Sequence, residues 1–406
     1  MIQIIKMAIR DLGRNKRRSF FSALALGLGL AVLLTMAAMI TGEMAGALEN
    51  SLRFESGHLQ MRAASYDANK TSLAWKDLIE SPTNLTNQIA ARPAVLAATP
   101  RLFASGIVTS GSESRGVRII GIDPASPANA MYQKAMLRGT FLTADDHDGI
   151  LIGSALAQKL GLDVGSSFSL LANTANGDMI DQKFTVRGVF STNITGYDRA
   201  TVFLPLAKAQ AMTGTENHAT LIFILLHDKT QAEAVKAELG GTPYTILTWT
   251  EMNVLLTQTE QMANSYMVIF YLIILGITAT VITNTLVMTV YERTREIGIL
   301  AAIGMKSWRI LVLFLTESFL LGLGGILLGL LVGGVMVWYF STIGYYIGGY
   351  GLSGGGILMQ DTIYAHLTLS STITLSIVAA VVAVLAGLNP AFMASRMEPV
   401  DALRGK

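Results

Sequence analysis

The chain has 406 residues, 51% of them hydrophobic and only 14% charged, with a net charge of +2 and a mean hydropathy of +0.48. An ordinary soluble domain has about a quarter of its residues charged, so these values are wrong for an ordinary soluble protein, and the near-neutral balance carries no nucleic-acid signal. There is no cysteine, hence no disulfide, thiolate metal site or cysteine nucleophile. A mixed chain remains, several membrane spans plus one aqueous domain.

Residues 1–18 read as an amphipathic helix at the cytoplasmic interface. Ile2, Ile5, Ile9 and Leu12 recur at helical spacing, with Lys6, Arg10, Arg14, Arg17 and Arg18 mostly opposite. The simpler alternative is a positive flank of the next span. Both put the N-terminus at the cytoplasmic leaflet. No residue from Ser19 to Gly42 is charged, so transmembrane helix 1 is set at 19–44. The run exceeds the about 7–15 residues of a signal-peptide core, so a retained span is expected.

Residues 45–261 read as a large α/β domain. SGHLQMR, GVRIIGI, FSLLA, KFTVRGVF, ATVFLPL, ATLIFILL and YTILTW are strand-like, rich in β-branched and aromatic residues and bounded by Gly, Asn, Asp and Pro. ALAQKLGL and QAEAVKAEL read as short helices, the first closed by Gly161. Two subdomains are expected, one made from both ends of the insert and a β-rich part at about 103–204.

Transmembrane helix 2 follows at 262–290, a charged segment at 291–308, and transmembrane helix 3 at 309–340, interrupted by Glu317. A Gly-rich loop at 341–368 leads to transmembrane helix 4 at 369–390, which Pro390 ends or kinks. The tail is 391–406. The fold class expected is therefore an α-helical membrane protein with four transmembrane helices and an extracytoplasmic α/β domain between the first two. Lys and Arg gather in the N-terminal segment, in 291–309 and in the tail, whereas 344–366 has none. That bias puts both termini and the charged segment inside and the large domain outside.

Catalytic patterns are missing. No Walker A, GxSxG, HExxH or EF-hand sequence occurs, and His58, His147, His218, His227 and His366 are scattered. Asp145, Asp146, His147 and Asp148 read as a solvated turn rather than a cation site. The expected metal, catalytic and cofactor sites are none.

The segment YERTREIGILAAIGMKSW does carry content. Ile297, Leu300, Ala301 and Ile303 continue a helical pattern, Gly304 sits where a C′ glycine ends a helix, and Ser307 reads as the N-cap of the next. Its small apolar face, Ala301, Ala302 and Ile303, fits a groove on a cytosolic partner, or the segment is a tight turn with juxtamembrane charges; the residues leave both open. Glu317, a carboxylate inside a span, calls for a partner, and the basic N-terminal helix is the expected source. Gly325, Gly329 and Gly333, four apart, form a close-packing face that suits either dimerisation or packing within the chain.

VYERTREIGILAAIGM resembles the hinge of the MacB-like and FtsX-like permease family, the membrane subunits of mechanotransmission ABC transporters. AIRDLGRNKRRSFFSALALGLGLAV is similar to that family's start, LFLTESFLLGLGGILLG, Glu317 included, to its third span, and NPAFMASRMEPVDALRGK, with Pro390, Ala394, Arg396, Pro399, Ala402, Leu403 and Arg404, to its C-terminal signature. The resemblance implies a dimer, with an identical or a related permease, bound to two copies of a cytoplasmic ATPase. ATP and Mg would be held by that partner, the chain itself being no enzyme. Glu292, Arg293, Arg295, Glu296, Gly298 and Gly304 would form the ATPase-coupling set.

The order SGHLQM, RIIGIDP, GILIGSALAQKLGLDVGSSFSLL and FTVRGVFSTNITGYDRATVFLPLAKAQ looks most like the lipoprotein-releasing members of the family. That implies a bacterial inner-membrane permease that extracts lipoproteins from the membrane. The alternatives are a MacB-like efflux permease for amphiphilic small molecules or peptides, and a non-transport transducer that activates an extracytoplasmic hydrolase.

Overall fold

The structure, a computed structural model, describes residues 2–14, 16–68, 70, 73–348 and 357–398. The C-terminal motif residues Pro399, Ala402, Leu403 and Arg404, and the glycine-rich stretch 349–356, lie outside the described residues. The chain divides into two compact units. One comprises Met1–Glu43, Glu260–Tyr345 and Ile363–Lys406, the other Met44–Thr259 and Tyr346–Thr362.

The first unit is helical. A short N-terminal helix, Ile2–Arg14, precedes four helices that are long and apolar enough to cross a membrane, by length and composition: Lys16–Ser56, Val254–Glu292, Ser307–Thr342 and Leu369–Ser395. A π-helical turn, Ser51–Ser56, closes the first. The last runs through Pro390 to Ser395 rather than ending at the proline. Ser307 is the first helical residue of the third long helix and not its cap; the N-cap position is Lys306, whose side chain makes no capping bond.

Close approach holds these helices together. In water an apolar helix is driven to bury its face; between lipid tails that drive is absent, and backbone contact over small residues takes its place. The glycine stripe of the third long helix packs against the first. A Cβ on Gly329 would stand 2.8 Å from Leu30 Cβ and 2.9 Å from Gly27 O, and one on Gly333 3.1 Å from Ala31 Cα. This answers the question left open by the sequence, since the stripe is occupied within the chain. Hydrogen bonds join other pairs, from Thr283 Oγ1 to Ala386 O at 2.9 Å and between Ser22 and Thr285 hydroxyls at 2.7 Å.

The second unit is mixed α/β, inserted in chain order between the first two long helices. Its strands form one ten-stranded sheet in the order Thr245–Thr248, Leu59–Arg62, Leu221–Leu226, Val95–Ser110, Glu113–Ile122, Thr201–Pro205, Gly149–Gly153, Met179–Phe190 and Met136–Gly139. The tenth, Ser167–Asn173, pairs with both Val95–Ser110 and Met179–Phe190. Six strands therefore close into a ring. The alternation of strand side chains fills it, with Phe168, Leu170 and Ala172 facing Phe184 and Val186 in one buried core.

Outside the ring, Leu59–Arg62 lies between Leu221–Leu226 and Thr245–Thr248, antiparallel to both, over a core of Ile222, Ile224, Val235 and Ile246. The strand Val95–Ser110 is shared. Its first part pairs with Leu221–Leu226 up to Arg101, and from Leu102 onward it pairs with Glu113–Ile122 in the ring. The helix Ser154–Leu160 is closed by Gly161 at φ 63°. Asp146 accepts from Thr143 N at 2.7 Å, making a turn, and no group of three His, Asp or Glu fit to hold a metal ion occurs among the described residues. Residues 357–362 also belong to this unit. Leu358 is buried among Phe54, Tyr132 and Tyr197, and Asp361 accepts from Thr195 N at 3.3 Å.

Candidate functional site

The helical unit concentrates its charge at one place, where the second long helix breaks. That helix ends at Glu292 and a new one, Thr294–Ala302, begins. Arg293, at φ −108° and ψ 12°, stands between them. The break turns its side chain inward, where only 12% of it is exposed. Each nitrogen of the guanidinium meets a carboxylate. Nη2 donates to Asp11 Oδ2 at 2.7 Å, Nε to Glu296 Oε2 at 3.0 Å and Nη1 to Glu317 Oε1 at 3.0 Å. One planar fork thus ties the N-terminal helix, the short helix and the third long helix, a geometry that arginine provides and lysine does not.

Burial opposes the charge of Arg293, yet the Glu317, Glu296 and Asp11 carboxylates more than offset this and hold the guanidinium above its usual range. Glu317 finds its partner here, on Arg293, and not on a basic residue of the N-terminal helix; that helix supplies an acid, Asp11, to the same arginine. Two further pairs surround the node, Arg14 with Glu296 and Arg18 with Glu292 at 3.1 Å. The hydrogen bond from Arg14, then that from Arg293, hold the Glu296 carboxyl below the usual range. A cavity of about 160 Å³ opens among these groups, lined also by Ser19, Thr285 and Thr289.

The short helix has two faces. Ile297 and Ala301 pack into a cluster with Val290, Ile310, Phe314, Ala391 and Ala394, and Gly298 is buried beside them. The opposite face is open, with Ile299 47% and, at its end, Ile303 75% exposed and Arg295 and Ala302 beside them; Tyr291, on the last turn of the preceding helix, is 62% exposed. Gly304, at φ 94°, terminates the helix. Its N–H bonds to Ala301 O and that of Met305 to Leu300 O, the paired bonds of a Schellman ending, with Met305 returning to the buried cluster.

Of the residues singled out from the sequence, Arg293, Glu296 and Glu317 meet in one network, Glu292 joins it through Arg18, Gly298 lies inside the packing, Gly304 forms the stop, and Arg295 faces outward. Asp11 and Ile299 are absent from that set, and of the expected apolar face Ile303 is exposed while Ala301 is packed inward. An acid on the inner side of a basic helix is the signal for Asp11. The two isoleucines share their type with the buried Ile297, and only the direction of the helix separates them.

Four helices long and apolar enough to cross a membrane, together with a large α/β unit and a charged, clamped turn between the second and third, mark a multi-pass membrane protein. The model of the MacB-like periplasmic core domain matches residues 19–242, and that of the FtsX-like permease C-terminal region matches 268–399. The chain belongs to this MacB-like, FtsX-like permease family. It is 24% identical to the lipoprotein-releasing system transmembrane protein LolC of Xylella fastidiosa over 98% of both chains. It is 23% identical to LolE of the same kind of system in Haemophilus influenzae, over 94% of this chain and 93% of that one. With the macrolide export ATP-binding/permease protein MacB of Shewanella it shares 25% identity over 99% of this chain, which spans 60% of that protein's length.

Proposed function

We propose that this chain is the membrane subunit of an ABC transporter, driven by a separate ATPase that docks on the helix Thr294–Ala302, and that it extracts lipoproteins from the inner membrane. The observation that carries the docking surface is the two-sidedness of that helix. Ile297 and Gly298 are buried while Ile299 and, at the helix end, Ile303 are exposed, and the Arg293 fork fixes its start. Apolar side chains flanking one arginine, on a rigid helix, fit a groove with an apolar floor and an acidic rim. Orientation follows from the Lys and Arg distribution, with the termini and this helix cytoplasmic and the α/β unit extracytoplasmic.

The full-length similarity to LolC and LolE supports lipoproteins as the cargo. The match to MacB supports export of amphiphilic molecules as the second reading. Both call for a dimer, with a second copy or a related permease, and two ATPase copies supplying ATP and Mg chemistry.

The test is affinity purification of the chain in mild detergent from its native membrane. An ATPase recovered with a sister permease or lipid-anchored proteins supports lipoprotein release; an ATPase with an extracytoplasmic adaptor supports export; recovery of no ATPase overturns both. Arg295→Glu is expected to reduce the recovered ATPase about tenfold, a loss of about 1.4 kcal/mol. Equal recovery would remove Arg295 from the docking surface.

A further inference from the structure

We propose that Asp11 is a positioning residue for the coupling helix Thr294–Ala302, and that the N-terminal helix is therefore a working part of the transmission and not only a membrane-surface anchor. The inference rests on the reading above, in which an ATPase drives that helix.

The N-terminal helix is otherwise basic, with Lys6, Arg10 and Arg14. A helix that merely lies among anionic headgroups has no use for a carboxylate, least of all a buried one. Yet the Asp11 side chain is only 9% exposed, on the same side as the buried Ala8, and 2.7 Å from Arg293 Nη2. Ile5 and Ile9, the apolar residues that would serve an interfacial helix, point away, 41% and 57% exposed. The helix thus has separate sides for the surroundings and for the coupling segment.

The contacts form a two-letter charge code. Asp11 and Arg14 are three residues apart on one helix; Arg293, immediately ahead of the other helix, and Glu296, within it, are also three apart. Acid meets base at the first position and base meets acid at the second. Slippage by a turn would set like charges together, so the code fixes the register between the two helices. Beyond register, Asp11 holds the outer arm of the guanidinium whose other arm grips Glu317. A displacement of the coupling helix is then shared between the N-terminal helix and the third long helix through one rigid planar group.

The experiment uses the full chain with its co-purified ATPase in lipid nanodiscs. The chain has no native cysteine, so Met179→Cys, at a position 67% exposed in the α/β unit, carries a single environment-sensitive fluorophore. Its signal is read with and without ATP and Mg in wild-type, Asp11→Asn and Asp11→Glu backgrounds. Asp11→Asn keeps the shape of the side chain and leaves Arg293 with two carboxylates, so the protein is expected to assemble with its ATPase. The ATP-driven signal change is expected to fall about fivefold or more in Asp11→Asn and to recover in Asp11→Glu, at equal yield of the complex.

An undiminished signal change in Asp11→Asn overturns the proposal. So does a loss of signal that only tracks a loss of assembled complex, because that outcome makes Asp11 a residue of assembly. If the wild type binds the ATPase but shows no ATP-driven change, or binds no ATPase, it is the reading of the chain as a driven permease that fails.

Discussion

A Cβ placed on Gly329 would stand 2.8 Å from the Cβ of Leu30, while one placed on Gly334 would meet nothing within 4 Å. The two glycines are five residues apart in one helix, and only the first is required by the packing. Gly329→Leu is expected to force the first and third long helices apart and to cost about 1–3 kcal/mol, the usual range for overpacking. Gly334→Ala is expected to be neutral or slightly stabilising. Thermal unfolding of the two variants in detergent checks the pair; equal midpoints would count against the intrachain stripe.

The Arg293 node predicts an order of severity. Glu317→Gln leaves the guanidinium with Asp11 and Glu296, whereas Arg293→Met leaves the buried Asp11 and Glu317 carboxylates facing an apolar side chain, with Glu296 held by Arg14 alone. Removal of one partner from a buried pair costs about 3–5 kcal/mol when nothing replaces it. Arg293→Met is therefore expected to lose at least that much, and Glu317→Gln distinctly less. Yield of folded protein and unfolding midpoint read the difference; the reverse order would mean that Glu317, not Arg293, organises the network.

His58 predicts a pH dependence in the α/β unit. Burial, the largest cause, lowers its pKa and the nearby Lys229 charge adds to this, together outweighing the opposing pulls of the Leu226 backbone contact and of Asp228. Its Nδ1 accepts from Leu226 N at 2.9 Å, which only the unprotonated nitrogen can do. The unfolded chain therefore takes up a proton first as pH falls. The stabilisation is fully present above the ordinary histidine value of about 6.5 and is lost as pH drops from there through the lowered folded value. Unfolding midpoints at pH 7.5 and 5.5 are expected to differ more in the wild type than in His58→Gln, and equal slopes would refute this.

Much of the fold is legible in the chain, and the failures are physical. Leu221–Leu226 and Thr201–Pro205 announce themselves through continuous β-branched and aromatic runs, and the four long helices through uncharged length. Val95–Ser110 does not. VLAATPRLFASGIVTS contains Pro100, several alanines and Gly106, a composition of low strand propensity, and beyond its hairpin with Glu113–Ile122 it is held extended by Leu221–Leu226 and Ser167–Asn173, which lie far away in sequence. The helix Thr294–Ala302 is legible as a helix with a glycine stop. Which of Ile297, Ile299 and Ile303 is buried is not, because that depends on the third and fourth long helices packing against one side. The partner of Glu317 is hidden for a related reason. Arg293 reaches it only because the chain breaks at that residue, and no composition reports the direction of a broken helix.

The shared strand has a mechanical consequence. The ring and the four-stranded lobe are joined by the uninterrupted sixteen residues of Val95–Ser110, hydrogen-bonded in the lobe up to Arg101 and in the ring from Leu102. A load applied to the lobe enters the ring through peptide bonds and cross-strand ladders, without passing a linker that could yield. The α/β unit is therefore expected to respond to load as one solid body, and its two lobes to unfold together as one cooperative block.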